Sequence, residues 1–238
     1  MPDNIDTRVS TSLDPENLRL SDDYTEENAK FVGCVVNAFN DAYVTLGKIH
    51  DARELWASNG AVTKEGAVVI VAREAAKHQE RVLRRFDLAA RDLAANISHT
   101  ESELMKPLTE QAGLGTLNTE VRAYVRGLDH KEREAFLKGA LERDDTTSLT
   151  AVLGGPSYLS GLTELDQAHF TRAYHEKKRP DLVGRLDAMR RFEERLHAAR
   201  PVLFAQFAKA VGADARTAAF LQQADDRAKA ALKIEPTA

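Results

Sequence analysis

A chain of 238 residues with 43% hydrophobic and 29% charged side chains has material for one or two packed cores and falls outside the disordered and membrane classes. A formal charge of −4 argues against a dedicated nucleic-acid binder, and a single cysteine, Cys34, excludes an internal disulfide or a cysteine-rich metal centre. Abundant Ala, 21 Arg against 12 Lys, and few Gly, Pro or aromatic residues favour long helices over strands, so an all-α fold is expected.

The polar start Met1-Pro2-Asp3-Asn4 lacks the basic residues and apolar run of a signal peptide. No stretch reaches the ~20 uncharged apolar residues of a membrane span, so no membrane partner is expected. The expected setting is the cytoplasm of a bacterial or infected cell, or a virion. Residues 1–21 hold two prolines, no aromatic residue and scattered aliphatics, which reads as a flexible arm. The arm is acidic: over residues 1–30, three cations against eight acids leave −5.

A helix is expected from Ser21–Thr25, where hydroxyls and carboxylates cap the exposed N–H groups, to Ser58-Asn59-Gly60. Phe31, Val35, Phe39, Ala42, Leu46, Ile49 and Trp56 recur at helical spacing, and Val32, Val36 and Tyr43 widen the stripe beyond what one partner helix covers. A second helix runs from about Thr63 to Met105, roughly 60 Å at ~1.5 Å per residue. Its seam, Val68, Ala72, Ala75, Gln79, Val82, Phe86, Ala89 and Leu93, alternates steps of four and three, then slips to Ile97 and Leu104 as in a coiled coil with a stutter. The short linker makes the two helices antiparallel, so residues 22–105 form a long helical hairpin.

Gly113 and Gly115 mark residues 106–118 as a hinge before a compact domain of shorter helices, 119–233, with a tail at 234–238. In that domain Asp129 with Glu132, and Thr163 with Asp166, have capping-box spacing. Gly154-Gly155-Pro156 and Pro180 stop helices, Asp181 opens one to Ala199, Pro201 kinks it or begins another, and Gly212 precedes the last.

The chemistry-bearing patterns are sparse. Glu194 and His197 have Glu-x-x-His spacing, but one copy off the apolar stripe of its helix describes a solvated face, not a di-iron site. His169 and His175 lack a ligand triplet, and Cys34 sits among valines as a small apolar group. Neither glycine pair follows a strand, as a phosphate cradle requires. No catalytic, cofactor-binding or metal-ligating set is assigned, and a non-enzyme is expected. The strongest local charge is +4 over residues 172–200, including Lys177, Lys178, Arg179, Arg190 and Arg191. It suits a solvated face, a nucleic acid, or an acidic protein segment such as the arm of another copy.

The stretch from Thr119 to Ala199, above all Ala151-Val-Leu-Gly-Gly-Pro-Ser-Tyr-Leu-Ser-Gly-Leu162, resembles uncharacterised helical proteins encoded among the structural genes of tailed phages and prophages. The resemblance implies an assembly role and no site residues. The expectation is an oligomeric interaction protein, a virion or virus-assembly component, that associates with its own copies or another protein through Phe31, Val35, Phe39, Tyr43 and Leu46. The alternatives are a nucleic-acid-associated regulator using residues 172–200 and an enzyme with a dispersed site.

Overall fold

The computed structural model describes residues 6–109 and 114–232. The first five residues of the expected arm, Gly113 of the expected hinge, and Lys233 with the 234–238 tail lie outside them. Of the described residues 81% are helical and none lies in a strand. The chain divides into two compact units, one of residues 1–96 and 188–238, the other of residues 97–187. This corrects the expected division into 22–105 and 119–233: the chain leaves the first unit and returns to it.

The first unit is built on a hairpin of α2 (Glu26–Ala57) and α3 (Lys64–Leu104, of which the first 33 residues belong here). Thr25 caps α2 by accepting the Asn28 N–H, and Glu26 and Glu27 face the positive end of its dipole. Contacts along the pair run in opposite senses. The Asn96 amide donates to Phe31 O at 3.3 Å, Phe39 stacks on Phe86 with centroids 5.3 Å apart, and Arg81 reaches Asp41 and Thr45. The seam residues Ala72, Ala75, Val82, Phe86, Ala89 and Leu93 are buried.

The broad face of α2 is also covered within this unit. Helix α8 (Pro180–Val211) runs unbroken through Pro201, and from its second part Met189, Phe192, Leu196, Leu203 and Phe207 are buried. The segment expected as a flexible arm is ordered instead over residues 6–20. It forms a 3-10 turn, Thr11–Leu13, and a short helix α1 (Glu16–Arg19), and it buries Val9, Leu13 and Leu18. Few aliphatics suffice because the segment needs no core of its own: the 3-10 turn packs on α2, and Ser10 N–H donates to Gln206 of α8 at 3.0 Å. The last helix, α9 (Ala215–Ala231), follows Gly212, whose φ of 84° suits glycine, and has no buried side chain.

The second unit contains the end of α3, then α4 (Gly115–Gly127), α5 (His130–Glu142), α6 (Thr146–Leu153), α7 (Glu164–Lys178) and the start of α8. Helix α4 begins inside the expected hinge. Both capping boxes form as expected, at Asp129 with Glu132 and at Thr163 with Asp166. Leu108, Val125, Leu137, Leu149, Val152, Leu153, Leu162 and Phe170 make the core. The 151–162 stretch is tied down by polar staples: Gln167 donates to Leu153 O and Gly155 O, and Arg133 donates to Val125 O, Leu128 O and Gly161 O.

Candidate functional site

The five aromatic and aliphatic residues expected to form an association surface do not form one. Val35, Phe39 and Leu46 are buried in the first unit, and Phe39 also lines an open pocket of about 430 Å³ with Leu18, Ala199 and Val202. Half-buried Phe31 carries Lys30 Nζ 5.0 Å above its ring, and half-buried Tyr43 accepts the Asp6 N–H at 2.8 Å. Sequence spacing gave their shared face correctly. What it did not supply was the identity of the covering elements, α8 and residues 6–20.

The basic section is largely engaged within the fold. In the first unit Arg191 makes a two-pronged pair with Asp23, with Nε 2.8 Å from Oδ2, and Arg200 pairs with Asp87. An acidic segment does meet this section, and it is the chain's own. In the second unit Lys177 donates to the carbonyls of Leu141 and Glu142 at the end of α5, Lys178 pairs with Asp144 at 2.7 Å, and Arg179 with Asp181 at 3.0 Å. Arg190 is exposed, as are Glu194 and His197. Among the described residues no three His, Cys, Asp or Glu side chains converge on a metal-sized site.

A charged latch holds the N-terminal segment. Arg8 bridges Asp6, Asp51 and Glu54, Lys209 donates to Arg8 O at 2.7 Å, and Gly47 leaves room for the Asp6 carboxylate, which a Cβ there would approach to 3.0 Å. The Arg8 hydrogen bond holds the Asp6 carboxyl down to about 2. Beside it His50 is only 2% exposed, and neither ring nitrogen has a hydrogen-bond partner among the described residues. Burial, then the charges of Arg53 and Arg8, push its pKa below the ordinary 6.5.

Two concave apolar regions remain, both within the first unit. The first is a cleft of about 290 Å³ between the turn-proximal halves of α2 and α3. Val44, Ile49, Ala52 and Trp56 face Ile70, Val71 and Ala75 across it, with Asp41, Thr45, Lys48, Glu74, His78 and Arg81 among its lining. The second is a groove of about 270 Å³ where α3, α8 and α9 meet, lined by Ala72, Ala76, Ala208, Ala215, Ala218 and Ala219 with Phe204 and Phe207. Phe204 is 52% exposed and Phe220 of α9 is 69% exposed. Sequence reasoning missed both regions. The signal for the first was the uninterrupted apolar run Ala67–Ala72, which is wider than one helical seam requires.

No helix of the described residues is long and apolar enough to cross a membrane. Compared with protein-family models, with curated proteins and with solved structures, the chain gives no match.

Proposed function

We propose that this chain is a non-enzymatic helical interaction protein that assembles with copies of itself through the face formed by α8 and α9. The observation that carries the reading is an exposed aromatic ring that stands at an apolar groove. One unit presents an exposed aromatic knob, Phe204, at the edge of an alanine-lined groove between α3, α8 and α9. A two-fold pair requires knob and hole on the same patch, because each copy must offer what the other accepts. Helix α9 adds a second reason: a 17-residue helix with no buried side chain gains packing when a second copy lies against it. The internal pairing of Arg191, Arg200, Lys177, Lys178 and Arg179 favours assembly over nucleic-acid binding. Virion assembly as the biological setting rests on the resemblance of residues 119–199 alone.

Light scattering coupled to size exclusion tests this. At tens of micromolar the chain is expected at about twice its 26.3 kDa mass, and Phe204→Asp, a change at an exposed site, is expected to give a folded monomer. A wild-type monomer at that concentration, or a Phe204→Asp variant that still pairs, overturns the reading.

A further inference from the structure

His50 lies where three parts of the first unit meet. It is 2% exposed, and neither ring nitrogen has a hydrogen-bond partner among the described residues. Tyr43, Gly47, His50 and Glu54 recur on one face of α2, with Asp51 at its edge. Residues 6–8 run along that face. Asp6 N–H donates to Tyr43 Oη at 2.8 Å, the Asp6 carboxylate sits over Gly47, and Arg8 reaches Asp51 and Glu54 at 2.7 and 3.0 Å. Lys209 of α8 closes the other side by donating to Arg8 O, while Arg53 of α2 donates to Lys209 O at 2.8 Å. The N-terminal segment is therefore part of the cover that keeps water from the imidazole.

That cover suits only the neutral ring. Three cations, Arg8, Arg53 and Lys209, act on His50 against one carboxylate, Asp6, and Asp51 and Glu54 are already engaged by Arg8. An imidazolium there would be a buried fourth positive charge with no acceptor. The segment is also a slight element, a 3-10 turn and a four-residue helix anchored by Val9, Leu13, Leu18 and the Arg8 latch, and such an element opens before a packed helical hairpin does. We propose that His50 is a proton-operated release for residues 6–20, whose protonation frees the segment and lays bare the α2 face around Phe39 and Tyr43. Detachment hydrates the imidazole, so the open form accepts the proton that the closed form refuses. A ring that stays neutral when closed and titrates at its ordinary 6.5 when open raises the open population up to about thirtyfold at pH 5. Asp6, held at about 2, stays charged over that interval and takes no part. The release goes beyond the assembly reading and does not depend on it.

Hydrogen exchange of the intact chain at pH 7.5 and pH 5, read by mass spectrometry and corrected for the chemical exchange rate, tests this. Peptides within residues 9–20 are expected to exchange faster than those of α2 at both pH values, and to lose about ten- to thirtyfold protection at pH 5. His50→Leu, which fills the site and takes no proton, is expected to remove that loss, and His50→Gln repeats the measurement with a polar side chain that does not titrate. Circular dichroism establishes which of the two variants is folded. Segment protection that does not change with pH, exchange of the segment and α2 in a single event, or an undiminished pH response in a folded His50 variant each overturns the proposal.

Discussion

His50 shows how one buried side chain ties stability to pH. Its imidazole faces Asp6 and Arg8 of the N-terminal segment, Arg53 of its own helix and Lys209 of α8, and its pKa is depressed chiefly by burial. Above the ordinary value of 6.5 the ring is neutral in both folded and unfolded chains and pH has no purchase on it. Below 6.5 the unfolded chain takes up a proton that the folded one refuses, so stability falls until the depressed folded value is passed. Asp6 acts in the same sense at lower pH: the stability it confers is present above 3.8 and lost as pH falls toward about 2. The urea midpoint is therefore expected to drop as pH is lowered from 7 to 5, and His50→Leu to flatten part of that drop. An unchanged slope in His50→Leu would place the acid sensitivity elsewhere.

At the scale of elements, what was legible in the sequence was local. The start of α2 and both capping boxes could be read because their hydrogen bonds join residues three apart. The slip in the α3 stripe between Leu93 and Ile97 was legible too, but its meaning was not. It coincides with the division between units at Asn96, so the stripe changes phase where α3 changes neighbours. Helix α4 escaped notice because glycines stand at both its ends, and the ordering of residues 6–20 escaped because it depends on surfaces far along the chain. The candidate cleft was harder still, since it is defined by what the packing leaves uncovered. Leu13, fully buried in the 3-10 turn, tests the N-terminal segment: Leu13→Ala is expected to cost about 2–5 kcal/mol in urea unfolding and to speed tryptic cleavage after Arg8 and Arg19. A flexible arm would show neither effect.

At the scale of the whole molecule, the first unit is discontinuous, and the hairpin is not its own domain. A fragment of residues 22–105 lacks Phe192, Leu196 and Leu203 of α8 as well as Leu13 and Leu18, all buried in the intact chain. Each such burial is worth roughly 1.5–3 kcal/mol, so the fragment is expected to unfold without a sharp transition and to aggregate. A cooperative urea transition in the fragment matching that of the intact chain would contradict this. The same interrupted course governs the order in which the protein is made. Residues 97–187 emerge complete before the part of α8 that the first unit needs, so the inserted unit can fold while its host waits. At ~5–20 residues per second, synthesis of the insertion leaves the apolar face of α2 uncovered for roughly 5–20 seconds on each ribosome. That interval, and not the finished fold, is when this chain is most exposed to aggregation and most in need of a chaperone.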